Sequence, residues 1–210
     1  MFLFKKFFPK KVVRSTYSIN FKKYYKNGYK GVLFDIDNTL VPHGEAADDK
    51  AVKFFQKLRD IGFKFCLISN NKEERVRTFA DKVGAPYIYD AHKPSTEGYN
   101  KAMEIIGTDV NETIFVGDQV FTDVFGGNRA SLYTILVRPI HHKEEIQIVL
   151  KRYIEKPILF FYKMRDRKKL KKENKQYNKR RLKLLAIKRK RKEKNEEVVD
   201  NIKEASSSNE

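Results

Sequence analysis

Residues 31–40 read GVLFDIDNTL and join a short apolar run to two carboxylates. The run from Val32 to Ile36, interrupted only by Asp35, is typical of a strand buried on both faces of a parallel sheet. An unpaired charge inside a sheet is costly. We therefore expect Asp35 and Asp37 at the carboxyl end of this strand, where open α/β sheets bind ligands.

The segments that follow this strand alternate between helix and strand patterns. Apolar residues recur at helical spacing in 47–61, 72–83, 95–106 and 144–156, and a short helix holding Asp123 precedes the last strand. Short apolar runs at 63–68, 86–89, 113–116 and 133–137 predict four further strands. This alternation predicts an α/β fold with a doubly wound, mostly parallel sheet and right-handed crossovers.

The net charge of +18 is distributed unevenly along the 210 residues. Residues 1–30 contain nine basic residues and no acid (+9), residues 31–150 contain 14 basic and 18 acidic residues (−4), and residues 151–210 contain 22 basic and nine acidic residues (+13). We therefore expect a basic aromatic arm over 1–30, the α/β domain over 31–156, and a basic, partly disordered extension over 157–210. Basic flanks favour an anionic partner, either nucleic acid or lipid headgroups.

The N-terminal arm is open to two interpretations, which are compatible. Its mixture of phenylalanine, tyrosine and lysine suits an interfacial membrane anchor, and its aromatic rings could equally pack on the domain. Lys5 and Lys6 interrupt the apolar start too early for a signal peptide. No segment reaches the roughly 18 apolar residues that span a bilayer.

Cys66, the single cysteine, excludes an internal disulfide and predicts a packed core thiol in a reducing compartment. We expect a cytoplasmic protein.

Polar residues recur just past the ends of the predicted strands. Asp35 and Asp37 follow the first strand, and the others come after the later strands: Ser69, Asn70, Lys93 and Asp118. The carboxyl ends of parallel strands share one edge, so these side chains should converge. Carboxylates and a phosphate oxygen suit Mg²⁺, a carboxylate can be a covalent nucleophile, and a nearby cation offsets anionic charge. Phosphoryl transfer through an aspartyl phosphate meets all three conditions.

Four motifs in the same order resemble those of haloacid dehalogenase-like (HAD) phosphatases. They are DIDNTL at 35–40, Ser69-Asn70, Lys93-Pro94, and Gly117-Asp118-Gln119 through Thr122-Asp123. The form of the first and last motifs is similar to subfamily IIIA, and within it to the YqeG family, which is related to phosphatidylglycerophosphate phosphatases. The resemblance covers residues 31 to about 140 and implies a HAD-like Rossmannoid core.

The resemblance implies a role for each motif residue. Asp35 would attack phosphorus in line, and Asp37 would protonate the leaving oxygen and then activate water. Ser69, helped by Asn70, would bind a phosphoryl oxygen. Lys93 would neutralise the phosphoryl group and the nucleophile.

The same resemblance implies a Mg²⁺ site. Its ligands would be Asp35, the main-chain carbonyl of Asp37, Asp118 and water. Asp123 would lie behind these ligands and orient Lys93 or a metal-bound water. The metal would shield negative charge as two anions approach.

Several other residues near the motifs are ambiguous. We expect Asn38 and Thr39 to shape the turn rather than react. His43 follows the first motif and could touch substrate, although a surface histidine is the simpler interpretation. The pair His141-His142 has no second ligand pair at zinc spacing. Arg138 follows the last strand and is either a surface arginine or part of the edge of the site.

Motif spacing bears on the substrate. Residues 38–68 between Asp37 and Ser69 number 31, and residues 71–92 between Asn70 and Lys93 number 22. Each gap holds one helix and one strand, so we expect no inserted cap domain. An open site suits a phosphate displayed on something large. Lysine and arginine side chains near an anionic bilayer contribute about 1 kcal/mol each, so the basic flanks could hold this site against a membrane.

We therefore expect a phosphorylated lipid substrate, with phosphatidylglycerophosphate leading, and a peripheral location at the inner face of the membrane. A different class of function is also open, in which the basic tail binds RNA or the ribosome and the phosphatase acts secondarily. A third hypothesis keeps the chemistry but places it on a phosphorylated nucleic-acid end or a sugar phosphate.

Overall fold

The computed structural model describes residues 3–140 and 153–168. The chain divides into two compact units, residues 1–159 and 160–210. Most of the predicted helix over 144–156, the His141-His142 pair and the basic tail from residue 169 lie outside the described residues. No helix in the described part of the chain combines the length and apolar character needed to cross a membrane.

The fold is built on a six-stranded sheet in which every described pair of neighbouring strands is parallel. The strands are β1 (Lys11–Val13), β2 (Gly31–Phe34), β3 (Lys64–Ile68), β4 (Tyr87–Ile88), β5 (Thr113–Gly117) and β6 (Tyr133–Val137). Their order across the sheet is β1-β6-β5-β2-β3-β4. The doubly wound α/β fold predicted from the sequence is confirmed, and β2 lies in its interior between β5 and β3.

The helices cover both faces of the sheet. They are α1 (Phe21–Lys26), α2 (Asp49–Ile61), α3 (Glu73–Val83), α4 (Glu97–Ile106), α5 (Phe125–Arg129) and α6 (residues 153–168). Val32 and Phe34 of β2 pack in one apolar cluster with α2 and α3, whereas Leu33 packs in a second cluster with α4. Successive strand side chains point to opposite faces, which explains why this strand is apolar at every position.

The ends of α2 agree with their sequence signals. The Asp48 carboxylate accepts a hydrogen bond of 2.7 Å from the Ala51 N–H and caps α2. Gly62 ends α2 in the left-handed conformation at φ +100°, which glycine adopts without a steric penalty. Helix α2 therefore begins and ends close to where its amphipathic pattern predicts.

The N-terminal segment contributes to the central domain. Strand β1 pairs with β6 at the edge of the sheet, and Phe21 and Tyr24 of α1 are buried in the larger apolar cluster. The sequence did not predict β1 or α1, because a three-residue strand and a six-residue helix are too short to show a period. The described aromatic residues of this segment thus include core residues.

Between the motif-bearing loops, the chain is compact. Residues 38–68 contain α2 and β3, and residues 71–92 contain α3 and β4. Both stretches are fully described, and neither holds an additional domain. The core is therefore uncapped at both points, as the motif spacing predicts.

Candidate active site

The carboxyl edge of the sheet brings together polar side chains from four strands. Asp35 directly follows β2, Ser69 follows β3, and Asp118 follows β5, while Lys93 lies in the loop after β4. All four residues are buried. Because the strands are parallel, their carboxyl ends meet at one edge, and the structure places these residues there together.

Lys93 joins two carboxylates. Its Nζ atom lies 2.6 Å from Asp35 Oδ1 and 2.7 Å from Asp123 Oδ1. Burial disfavours the charge on Lys93, but the carboxylates of Asp123 and Asp35 outweigh burial and raise the pKa of the ammonium group. Lys93 therefore supplies a fixed positive charge directly beside the candidate nucleophile.

Both carboxylate oxygens of Asp35 have partners: Oδ1 contacts Lys93, and Oδ2 contacts Thr39. Burial raises the pKa of its carboxyl group, Lys93 lowers this pKa and Asp123 raises it, and together they bring it to about 7. The Thr39 hydroxyl lies 3.0 Å from Asp35 Oδ2 and 3.2 Å from Asp118 Oδ1, so it can donate a hydrogen bond to either carboxylate. A residue expected only to shape the turn thus contacts two acidic residues of the site.

Three carboxylates are close enough to share a cation. Asp35, Asp118 and Asp123 each offer an oxygen, and these oxygens lie within 4.8 Å of one another. Lys93 offsets one of the three charges, and hard carboxylate oxygens are the ligands that Mg²⁺ prefers. The donor set fits a divalent cation.

Asp123 is fixed by backbone donors. Its Oδ2 atom accepts hydrogen bonds from the N–H groups of Asp118 (3.1 Å) and Gln119 (3.0 Å), while its Oδ1 atom pairs with Lys93. Asp123 lies in the π-helical turn Val120–Val124 that leads into α5. A Cβ atom on Gly117 would lie 2.5 Å from Asp123 Cγ, so this close approach requires glycine.

Asn70 binds the loop that carries Lys93. Its side-chain amide accepts a hydrogen bond of 2.7 Å from the Lys93 N–H and donates one of 3.2 Å to the Lys93 carbonyl. The neighbouring Ser69 is buried, and its hydroxyl accepts a hydrogen bond from the Asn71 N–H at 3.2 Å. In this arrangement Asn70 positions Lys93, and Ser69 lies at the end of β3 beside it.

Asp37 has partners that the motifs did not reveal. Its carboxylate accepts hydrogen bonds from the Gly44 N–H (2.8 Å), from Asn71 Nδ2, and from Arg75 Nη2 (3.0 Å). Arg75 lies in the first turn of α3 and also donates to the Glu45 carbonyl at 2.7 Å. The sequence offers one signal for these partners, the four-residue spacing of Asn71 and Arg75 across the start of α3, and such spacing is too common to identify them.

The ambiguous histidine and arginine lie at the edge of the site. His43 Nδ1 is 3.9 Å from Asp37 Oδ1, and the His43 side chain is 37% exposed. Arg138 is exposed and lines a cavity with Leu40, the last residue of the first motif, and with Val41, which follows it. His43 and Arg138 therefore flank the motif without entering the buried carboxylate cluster.

The N-terminal segment supports the first motif from behind. The buried Thr16 hydroxyl donates a hydrogen bond of 2.8 Å to the Thr39 carbonyl, and the Tyr17 hydroxyl donates one of 2.7 Å to the Leu40 carbonyl. Sequence reasoning missed both contacts, because neither residue belongs to a motif.

Comparison with known proteins agrees with this geometry. Residues 43–131 match the haloacid dehalogenase-like hydrolase family. The chain is also 35% identical over 159 residues to a protein of Bacillus subtilis (strain 168), and the match covers 75% of this chain and 92% of that relative. The chain therefore belongs to the haloacid dehalogenase-like phosphatases. The Bacillus subtilis relative carries the name Probable phosphatase YqeG.

Two further similarities are more distant. The chain is 27% identical over 151 residues to phosphatidylglycerophosphate phosphatase 1, chloroplastic/mitochondrial, of Arabidopsis thaliana, a match that covers 67% of this chain and 43% of that protein. Among solved structures, NagD from E. coli K-12 is similar with a TM-score of 0.44 and 15% identity, over 52% of this chain and 87% of that one.

Proposed function

We propose that this phosphatase is a Mg²⁺-dependent phosphomonoester hydrolase that works through an aspartyl phosphate on Asp35. The observation that carries the proposal is the Lys93 ammonium, which lies within 2.7 Å of both Asp35 and Asp123 at the carboxyl edge of the sheet. A buried carboxylate beside a fixed cation can act as a nucleophile toward an anionic phosphoryl group.

In the first step, an oxygen of Asp35 forms a bond to phosphorus while the bond from phosphorus to the leaving oxygen breaks. Asp37 gives its proton to that leaving oxygen. The Lys93 ammonium offsets negative charge on the phosphoryl group, and the Ser69 hydroxyl donates a hydrogen bond to one of its oxygens. Asn71 and Arg75 bind Asp37 and determine where its carboxyl group lies.

In the second step, Asp37 accepts a proton from water as the water oxygen attacks phosphorus. The bond between phosphorus and Asp35 then breaks, which releases inorganic phosphate, regenerates the Asp35 carboxylate and leaves Asp37 protonated for the next cycle. Asp35, Asp118 and the backbone near Asp37 would hold Mg²⁺, with Asp123 adjacent. When bound, the ion supplies electrostatic stabilisation of the transition state.

For the substrate, we propose phosphatidylglycerophosphate, whose hydrolysis yields phosphatidylglycerol at a membrane surface. Similarity to the Arabidopsis phosphatase of that name supports this choice. The uncapped core is a second support, because an open site can accept a phosphate displayed at a bilayer. The strongly basic ends of the chain, +9 over residues 1–30 and +13 over residues 151–210, favour an anionic surface.

The test is phosphate release from a substrate panel with Mg²⁺, with EDTA and with Asp35→Asn protein. The panel contains phosphatidylglycerophosphate in mixed micelles, a 5′-phosphorylated oligonucleotide, a sugar phosphate and p-nitrophenyl phosphate. We expect the lipid to have the highest kcat/KM and Asp35→Asn or EDTA to abolish turnover. Asp60→Asn, which changes an exposed carboxylate on α2, is the matched control.

Two results would reject parts of this proposal. Turnover that survives Asp35→Asn would exclude the covalent intermediate. A wild-type enzyme that releases phosphate from p-nitrophenyl phosphate but leaves the lipid intact would exclude the lipid substrate.

The charge of the C-terminal region also favours a second candidate, an RNA- or ribosome-binding role for the tail. Flotation with anionic vesicles and a gel shift with RNA distinguish the two, using the full chain and a chain that ends at residue 168. We expect vesicle binding to weaken on truncation. An RNA shift lost on truncation, with unchanged flotation, would support the RNA role instead.

A further inference from the structure

A basic cavity opens at the same sheet edge as the carboxylate cluster. Its volume is about 370 Å³, and its lining includes Arg14, Lys50 and Arg138. Arg14 follows the end of β1, and Arg138 follows the end of β6. Because all six strands are parallel, both arginines lie at the carboxyl edge. The cavity therefore neighbours the active site on the β1 and β6 side of the sheet.

Leu40, Val41 and Pro42, at the end of the loop that carries Asp37, form part of the cavity wall. Val41, which lines the cavity, forms a bridge with Asp37, and its carbonyl accepts a hydrogen bond of 2.7 Å from the Asn38 N–H. Ile140, another lining residue, donates its N–H to the Asn38 carbonyl at 3.0 Å. A molecule in the cavity would thus contact Val41 and Ile140, whose backbones are bonded to the segment at Asp37 and Asn38.

The charges in the cavity are available to a ligand. Arg14, Lys50 and Arg138 are exposed, and within the described residues none of them forms an ion pair with a carboxylate. Asp48 is the one carboxylate among the described lining residues, and it caps the N-terminus of α2. Arginine binds phosphate through two parallel N–H groups, so two arginines and a lysine suit an anionic phosphate ester.

An adjoining cavity distinguishes between possible ligands. This second cavity has a volume of about 500 Å³ and shares Tyr17 and Lys50 with the first. Its lining includes the partly exposed apolar side chains of Tyr17, Ile19 and Ile61, together with Lys22, Lys53 and Lys57. An apolar surface bordered by lysines suits an amphiphile with an anionic head group. A nucleic-acid duplex would match the lysines through its phosphates but would not use the apolar surface.

We propose that the cavity lined by Arg14, Lys50 and Arg138 binds the phosphodiester of a glycerophospholipid whose terminal phosphomonoester occupies the Asp35 site. This assignment rests on the proposed lipid substrate. In such a lipid one glycerol unit separates the two phosphates, and the two proposed anion sites share the loop from Asp37 to Val41. The cavity would select substrates with a second phosphate next to the one that is cleaved, and its three cations become specificity-determining residues.

The test measures selectivity and uses the full-length protein. For each protein, kcat/KM is determined for the deacylated head group, glycerophosphoglycerol phosphate, and for p-nitrophenyl phosphate, which lacks a second anion. The ratio of the two values is compared among wild type, Arg138→Gln, Arg14→Gln and the control Arg77→Gln, an exposed arginine on α3. The soluble head group removes membrane binding from the comparison, and thermal unfolding of each variant verifies its fold.

We expect Arg138→Gln and Arg14→Gln each to lower the ratio about tenfold, because each loses a charge-assisted hydrogen bond to the phosphodiester. Arg77→Gln should keep the wild-type ratio. Equal ratios for Arg138→Gln, Arg14→Gln and Arg77→Gln, with lipid hydrolysis by wild type intact, would overturn the assignment and leave the proposed function standing.

Two other outcomes would also overturn the assignment. Wild-type protein that hydrolyses p-nitrophenyl phosphate but neither the head group nor the lipid would reject the proposed substrate together with the cavity. The same ratio can be measured with kcat/KM for a 5′-phosphorylated oligonucleotide in place of the head group. If both arginine variants lower the oligonucleotide ratio more than the head-group ratio, the cavity is assigned to nucleic acid.

Discussion

At the scale of single residues, Asp123 links two parts of the site, since it binds Lys93 and the backbone at the end of β5. The absence of a side chain at Gly117 makes this contact possible. We predict that Gly117→Ala lowers kcat at least tenfold, because the added methyl group displaces Asp123. The overpacking should cost about 1–3 kcal/mol of unfolding free energy. Steady-state kinetics and urea unfolding measure the two effects.

Gly28→Ala is the control for this substitution. Gly28 has φ +96° with no atom within 4 Å of a built Cβ, so alanine there introduces backbone strain alone. It should lose about 1 kcal/mol of stability with wild-type kcat. Equal kcat for both variants would mean that Asp123 tolerates displacement.

Cys66 provides a test of core packing. It is fully buried, and burial raises the pKa of its thiol to about 12. The thiolate is the reactive form, so native protein at pH 8 should resist iodoacetamide, whereas protein in urea should react completely. Because folding raises the pKa of this thiol, burial of the neutral thiol contributes fully to the free energy of unfolding below the thiol's unfolded pKa. This contribution declines as pH rises through the alkaline range, where the unfolded chain loses the proton first. Rapid native labelling, followed by mass spectrometry, would contradict the buried position.

At the scale of elements, the segment before α1 stabilises the first motif. Thr16→Val keeps the side-chain shape but removes the hydroxyl that donates to the Thr39 carbonyl. We predict a loss of about 1–3 kcal/mol of unfolding free energy, since a buried acceptor loses its partner, and a lower kcat, since Thr39 contacts Asp35 and Asp118. The control is Ser18→Ala, which removes an exposed hydroxyl bonded to the Ser15 carbonyl. Wild-type kinetics in Thr16→Val would show that the segment has no influence on the site.

Helix α6 makes a comparable contact with the turn after β5. The buried Glu155 accepts a hydrogen bond of 2.7 Å from the Val120 N–H, at the start of the turn that holds Asp123. Glu155→Ala leaves this N–H without that partner and should cost about 1–3 kcal/mol by chemical denaturation. Glu155→Gln retains an acceptor oxygen and should cost less. If glutamine is as destabilising as alanine, the charge rather than the hydrogen bond is what matters.

At the scale of the whole molecule, the lysines that border the apolar cavity between α1 and α2 are candidates for membrane contact. We predict that reversing Lys22, Lys53 and Lys57 to glutamate weakens sedimentation with anionic vesicles at least tenfold, since each basic group contributes about 1 kcal/mol near such a surface. Reversal of Lys72, Lys82 and Lys101, which are exposed elsewhere, is the charge-matched control. Equal losses in both triple variants would mean that net charge, and not this surface, drives binding.

Most of the fold could be predicted because its signals are local. An apolar period of two or of 3.6 residues reports which face of an element is buried, and it located α2, β3 and β6 to within a few residues. The sequence did not predict strand β1 or helix α1, because both are too short to show a period. Strand β1 joins the sheet only because β6 offers it an unpaired edge.

The motif residues could be predicted to converge, because parallel strands bring their carboxyl ends to one edge regardless of their order. The partners of those residues could not. Arg75 reaches Asp37, Thr16 reaches the Thr39 carbonyl, and Arg14 lines the same cavity as Arg138. These contacts depend on the order of the strands and on the position of each helix relative to the sheet. Both are determined only when the chain packs. Local patterns therefore identified the residues that converge at the site, and tertiary packing determined which residues hold them in place.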